Sequence, residues 1–293
     1  MPAQAATPAT RSTRRVDALV RKRTAAQPSF SHGADDLAAS RRPMVAPVAR
    51  ALTLLAAYTP REPWLGNREL ALRTGMPPST VSRLAQSLLA LGYLHYDAER
   101  RKYRLAASVL ALGYAAIAHS DMQRLARQQM QAFAEQHKVH VTLSTRDRLD
   151  LVVLERSSSP AAQISLNLHV GARMGIASSP MGWALLAALP ELERYYLLGN
   201  VERRMPREWP RLRRRSSEAI SQVHGLGFCT SLGEWDSDLG IVAVPLMVPG
   251  HAPLALACVG SSGQMTKARV ERELGPRLLG MAMALQERAG AVE

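Results

Sequence analysis

Ser79, Thr80, Ser82, Arg83 and Gln86 are side chains of the types that hydrogen-bond base edges and phosphate oxygens. They interleave with Val81, Leu84, Ala85, Leu88 and Leu89, which recur at helical spacing and read as the buried stripe of a helix over residues 78–90. The polar set then faces outward, and the chemistry it offers is recognition of duplex nucleic acid. Arg100, Arg101 and Lys102 follow and would hold the phosphate backbone.

A second group is suited to a small anion. Ala177-Ser178-Ser179-Pro180 precedes a helix starting at Met181, so backbone N–H groups and serine hydroxyls would converge there. Met181, Trp183, Phe228 and Cys229 would supply an apolar wall. An acidic loop carrying Glu234, Trp235, Asp236 and Asp238 would close over it. The alternative is that the serines only cap the helix and the aromatics are core.

Covalent chemistry finds little support. There is no GxxxxGKS or GxxxxGKT phosphate loop, and Gly260-Ser261-Ser262-Gly263 has the wrong spacing for a nucleophile elbow. His137 and His140 straddle a helix-to-strand change, with no further ligands to complete a metal set. Cys229 with His224 would be the one thiol–base pair to consider, but a buried cysteine is usually a small apolar residue.

These groups need elements to position them. Residues 68–74 form a short helical pattern that ends at Gly75, the residue that best tolerates a left-handed turn. Asn67 is expected to cap it. Met76-Pro77-Pro78 then opens the polar-faced helix, where proline is tolerated in the first turn. Two helices joined this tightly read as a helix-turn-helix. Residues 93–96 and 102–105 alternate apolar and polar around a basic tip, a hairpin placed as a wing. The alternative is a small helical bundle with a surface hairpin.

Net charge is +13, divided as +5 over residues 1–43, +5 over 44–120 and +3 over 121–293. The excess favours a polyanionic partner and lies mostly in the first two-fifths of the chain, where the helix-turn-helix is. Two cysteines, Cys229 and Cys258, cannot build a disulfide framework. No apolar run of about 18 residues exists to span a membrane, and no secretory signal is visible, so a cytoplasmic chain is expected.

Residues 1–43 read as a disordered basic arm, with Arg11, Arg14, Arg15, Arg21, Lys22 and Arg23 available to phosphates. A transit peptide or non-functional residues from an upstream start fit equally well. Residues 44–105 make the DNA-binding domain, beginning with a helix over 45–58; Trp64 is read as core. Residues 106–120 are a linker helix whose apolar seam would pair with its own copy or pack within the chain. Residues 121–293 begin with a helix over 121–137 and continue with strands over 139–144, 149–155, 163–169, 241–248 and 254–260. Helices are expected from 181, 191, 217 and 269, with a loop over 171–180 and a basic stretch over 202–215 that breaks at Trp209-Pro210. The whole is α+β with antiparallel hairpins.

In this order the motifs resemble the IclR-type bacterial transcriptional regulators. Pro47 to Leu55 is similar to that family's first helix, Thr74 to Leu84 to its recognition helix, and Leu91 to Leu94, Tyr103 to Leu105 and Leu110 to Gly113 to its wing and linker. Ala177 to Ala187, Gly225 to Glu234 and Ala243 to Pro245 resemble its ligand domain. The resemblance implies a winged helix-turn-helix joined by a helix to a GAF-like effector domain, acting as a homodimer or dimer of dimers on double-stranded DNA. No cofactor is implied. Positions matched by Ile241, Ala257 and Val259 often carry polar residues in the family, where small carboxylates are held. All three are apolar here, and Gly182-Trp183 stands where a glycine-lysine pair is common. The implied effector is a larger aromatic or aliphatic acid, bordered by Ser178, Ser179, Met181, Trp183, Cys229, Glu234, Trp235, Ile241 and Ala257. It would act by shifting the population between dimer geometries. Two other readings stay open: a small-molecule enzyme on a GAF-like domain using Cys229, and a basic architectural DNA binder with no ligand.

Overall fold

The computed structural model describes residues 45–60, 62–117, 121–162, 164, 166, 168–248 and 252–290. The expected basic arm lies outside the described residues. The chain divides into two compact units at residues 119 and 120.

The first unit holds α1 (Ala46–Leu55), α2 (Asn67–Thr74), α3 (Pro78–Ala90), β1 (Leu94–Asp97), β2 (Lys102–Leu105) and α4 (Ala107–Ile117). Its core is Leu54, Ala57, Leu65, Leu70, Val81, Ala85, Leu88 and Leu94. Val81, Ala85 and Leu88 are the buried face of α3, as the helical spacing predicts. Each buried leucine contributes about 1.5–3 kcal/mol. Gly75 takes the left-handed conformation, φ 67°, that ends α2 and lets Pro78 start α3.

Asn67 is not the cap expected of it. It is the first residue of α2, and Gly66 is the N-cap. Glu69 accepts the Gly66 backbone N–H at 2.6 Å, while the Asn67 Nδ2 donates to the Pro78 carbonyl at 3.2 Å. The amide is used to join the two helices of the motif. β1 and β2 pair antiparallel, His95 opposite Arg104 and Tyr96 opposite Tyr103. Leu65 adds a bridge to the hairpin, with N–H···O distances of 2.9 Å in both directions to Tyr103.

The second unit is a six-stranded antiparallel sheet in the order β5-β4-β3-β8-β7-β6. The strands are β3 (His140–Asp147), β4 (Asp150–Ser158), β5 (Arg173–Gly175), β6 (Cys229–Leu232), β7 (Leu239–Leu246) and β8 (Leu254–Ser261). One face is covered by α6 (Pro180–Ala188), with α7 (Glu191–Arg204) and α8 (Trp209–Leu226) beside it. The other packs on α5 (Asp121–His137) and a closing helix, α9, built of Lys267–Arg269, a π turn Val270–Leu274 and Gly275–Gly290. Burial on both faces explains why β7 and β8 are almost continuously apolar.

Two expectations are corrected. The fifth strand is Arg173–Gly175, inside the expected loop, not 163–169, whose described residues are not strand. Leu166 and Leu168 are buried as their alternation implies, but the Ile164 and Leu166 carbonyls are taken by the His140 and Arg156 side chains. Trp209-Pro210 is the first turn of α8, not a break, because proline fits there.

Candidate nucleic-acid interface and ligand-binding face

On α3, Ser79, Arg83 and Gln86 are exposed on the side opposite Val81, Ala85 and Leu88, and Thr80 and Ser82 are half-buried on its flanks. The face expected to meet DNA is turned to solvent.

The wing differs in detail. Arg100 and Arg101 are exposed, but the Lys102 ammonium lies 2.9 Å from Glu69 Oε1 and ties β2 to α2. Glu69 is held below the usual carboxylate range by the Gly66 N–H first and by Lys102 second. Trp64, expected in the core, is half-buried at the wing. The guanidinium carbons of Arg100 and Arg104 lie 5.1 and 5.0 Å from its ring centroid, and His95 meets it edge-on at 6.3 Å. Arg104 was not among the expected cations; its alternation with Tyr103 in a basic hairpin was the available signal.

In the second unit, Ser179 is fully buried and caps α6, accepting the Gly182 N–H at 3.2 Å and donating to the Gly175 carbonyl at 2.9 Å. Ser178 donates to the same carbonyl at 3.3 Å. Trp183 Nε1 donates to the Ala177 carbonyl at 2.8 Å. A Cβ on Gly182 would sit 2.0 Å from the Ile176 carbonyl oxygen, so glycine lets α6 seat on that backbone. Met181, Trp183, Cys229, Ile241 and Ala257 share one buried cluster, with Trp235 packed against it. Glu234 is exposed and pairs with Arg215, whose guanidinium carbon lies 5.7 Å from the Trp183 ring centroid.

The sheet adds residues that sequence reasoning missed. Register joins Arg156, Thr142, Ala257, Ala243 and Cys229 in one row across β4, β3, β8, β7 and β6. The next row runs Ser158, His140, Val259, Ile241 and Ser231. Thr142 and Ser144 are 0% exposed, yet the Thr142 Oγ1 and Ser144 Oγ have no hydrogen-bond partner, and neither do the His140 Nδ1 and Arg156 Nε. The other side of each ring or fork is anchored: His140 Nε2 lies 3.0 Å from the Ile164 carbonyl and Arg156 Nη1 3.0 Å from that of Leu166. Burial pulls both groups below their ordinary pKa. Among the described residues Arg156 has no carboxylate partner. A half-buried guanidinium beside an unpaired buried hydroxyl is an environment that favours an anion.

The thiol–base pair does not form. Burial pushes the Cys229 thiol up to about 12, and its Sγ donates to the Pro180 carbonyl at 3.4 Å. His224 Nε2 lies 3.1 Å from the Ala187 carbonyl instead. His137 turns to Glu273 at 3.1 Å, and among the described residues no cluster of His, Cys, Asp or Glu fits a metal ion.

Comparisons with known proteins cover both units of the chain. Residues 47–98 match the IclR helix-turn-helix domain, and residues 114–287 match the bacterial transcriptional regulator IclR C-terminal domain. The HTH-type transcriptional regulator TsaQ1/TsaQ2 of Comamonas testosteroni is 32% identical over 254 residues, 86% of this chain and 91% of that one. The crystal structure of an IclR family regulator from Brucella abortus superimposes with a TM-score of 0.73 at 36% identity, covering 84% of this chain and 92% of that one. An IclR homolog from Microbacterium hydrocarbonoxydans, solved as a complex with 4-hydroxybenzoate, shares the fold with a TM-score of 0.64 at 19% identity, covering 83% and 99%. A helix-turn-helix with its polar face in solvent, joined in one chain to this antiparallel sheet, places the protein in the IclR family of DNA-binding bacterial transcriptional regulators.

Proposed function

We propose that this regulator's hold on DNA is modulated by a small organic acid bound on the α6 side of the sheet. Ser79, Thr80, Ser82, Arg83 and Gln86 read the major groove, and the wing holds the backbone. The acting form is a cytoplasmic homodimer or dimer of dimers, in which the acid shifts the population between two DNA-binding geometries. Among the described residues no helix is long and apolar enough to cross a membrane.

One observation carries the ligand reading: Thr142 and Ser144 present fully buried, unpaired hydroxyls on β3, with Thr142 opposite the half-buried Arg156. An unpaired buried hydroxyl costs about 1–3 kcal/mol, a cost that a bound carboxylate would remove. The apolar body of the acid would lie along Ala257, Ala243 and Met181, which are small or adaptable. The expected border serines are already bonded, Ser179 capping α6 and both donating to the Gly175 carbonyl, so they shape the site by fixing the turn that seats that helix. The Microbacterium homolog holds 4-hydroxybenzoate in the same fold, and an acid of that kind suits an apolar face with one cation.

The test is a thermal-shift series with benzoate, 4-hydroxybenzoate and short aliphatic acids. A ligand at a hundredfold its Kd stabilises the native state by about 2.7 kcal/mol. Arg156→Gln and Thr142→Val should abolish the shift while leaving each variant folded. The same acid should change the affinity of the wild type for its DNA. If no organic acid stabilises the wild type, or the shift survives both substitutions, the ligand reading fails.

A further inference from the structure

We infer that Trp64 is a positioning residue that holds Arg100 and Arg104 as a paired clamp on the sugar-phosphate backbone of duplex DNA beside α3. The inference rests on the DNA-binding reading of this unit, which included Arg100, and adds Trp64 and Arg104 to it.

Trp64 lies in the connector between α1 and α2, half-buried and outside the apolar core of the unit. The two Leu65–Tyr103 backbone hydrogen bonds, 2.9 Å each, fix the residue beside it against β2. The indole thereby meets the wing. Arg104 stands opposite His95 in the hairpin register, and Arg100 lies at the turn. Both guanidinium carbons come within about 5 Å of one ring centroid. Two points so placed lie no more than about 10 Å apart, so two positive charges are gathered on one small surface. Both arginines are exposed. Among the described residues Arg100 has one carboxylate partner, Asp97 at 3.8 Å, and Arg104 has none.

Gathering like charges is unfavourable unless something answers them. Cation–π contacts offset part of the repulsion, and a phosphate backbone answers the rest. The neighbouring cation shows the contrast: Lys102 is paired with Glu69 at 2.9 Å, whereas Arg104 has no carboxylate partner among the described residues and Arg100 has a longer contact to Asp97 at 3.8 Å, so the neutral ring orders both while leaving most of their charge for phosphate. Holding the side chains in place before DNA arrives removes rotamer entropy that binding would otherwise lose. A planar, delocalised guanidinium is the cation best suited to stack and to hydrogen-bond phosphate at once.

Phosphate contacts are independent of sequence, so the experiment needs no operator. Binding of the full chain to a mixed-sequence duplex is measured by fluorescence anisotropy between about 50 and 200 mM salt. Arg104→Ala should lower the slope of log K against log salt by about 1, the value of one phosphate contact. Trp64→Ala removes no charge, yet it should weaken binding about tenfold and lower the slope by more than Arg104→Ala does. Trp64→Phe keeps a ring and should restore most of both. A change confined to fold stability would move the melting temperature without moving the slope. Wild-type slope in Trp64→Ala, or in Arg104→Ala, overturns the clamp. Should Trp64→Ala not fold, Arg104→Ala and Trp64→Phe decide by themselves, because the first is a surface change. A wild-type chain that binds no duplex at low salt removes the DNA reading and this inference with it; a wild type that binds with slopes unaltered in the variants removes this inference alone.

Discussion

The recognition face of α3 and the polar row on β3 carry similar groups under opposite conditions. Ser79, Arg83 and Gln86 stand in water, where an unpaired donor is solvated and loses nothing while it waits. Thr142 and Ser144 stand in a dry interior between two covered sheet faces, where an unpaired hydroxyl is costly. Polar groups on the first surface are therefore free with respect to folding, and their removal is read only in binding. On the second, function opposes stability, and the packing around the row must supply the difference.

Packing is where the largest effect is expected. Gly182→Ala places a methyl 2.0 Å from the Ile176 carbonyl oxygen, which is backbone and cannot step aside as a flexible side chain would. The cost should be about 3 kcal/mol or more. For a unit of this size that lowers the melting temperature by roughly 6–12 °C. Scanning calorimetry should show the sheet unit's transition shifted and that of the winged unit unmoved. Ser79→Ala or Gln86→Ala should change neither transition by more than about 0.5 kcal/mol. A comparable loss from either would mean that the α3 face has a folding role, and the contrast between the surfaces would collapse.

Arg83→Ala is the next in size, and it reads the other way round. Binding to the cognate site should weaken by about 1–3 kcal/mol if the guanidinium contacts a base. Thermal stability should not change, since the side chain is exposed and pairs with no described carboxylate. Unaltered affinity in a footprint or anisotropy assay would remove Arg83 from the interface.

The same contrast explains what could be read from sequence. The α3 face was legible because a helix reports its own environment: Val81, Ala85 and Leu88 fix the inward side, so Ser79 and Arg83 must point out. Gly75 was legible because one residue type fits that turn. The β3 row was not. His140, Thr142 and Ser144 alternate as strand residues, but one strand does not say what flanks it. The meaning of Thr142 depends on register with Ala257, which lies far along the chain, and with Arg156 on the other side. Trp64 was misread because an indole is apolar in composition, and only the Leu65–Tyr103 bridge brings it to two guanidiniums. The segment 163–169 was misread because its alternation is real while its carbonyls answer side chains instead of a neighbouring strand.

Thr142→Val sharpens the comparison with a smaller and opposite sign. It replaces an unpaired buried hydroxyl by a methyl of similar shape, so the unliganded protein should gain about 1 kcal/mol. The same change should abolish stabilisation by organic acids. A loss of stability on urea unfolding would show that the hydroxyl already has a partner, and the row would then be structural.

The smallest effect concerns Lys102, a wing cation that the winged unit itself pairs with a carboxylate. Glu69 accepts the Gly66 N–H and pairs with Lys102, and both interactions lower its pKa in the folded state. Its contribution is therefore fully present above the unfolded carboxylate value of about 4.3 and is lost as pH falls through the lower folded value. Glu69→Gln should cost the winged unit about 0.5–1 kcal/mol near neutral pH, a size limited by solvent screening of a half-exposed pair. The difference from wild type should close in acid, when both side chains are uncharged. A penalty that stays constant through the acid range would assign the effect to shape and not to charge. Freed from its partner, Lys102 should also bind phosphate and steepen the salt dependence of DNA binding, by up to about 1 in the logarithmic slope. Stability and DNA affinity would then move in opposite directions on a surface where, at Arg83, they do not move together at all. That outcome would mark Lys102 as the point where the winged unit exchanges recognition for rigidity, as the sheet unit does at Thr142 in reverse.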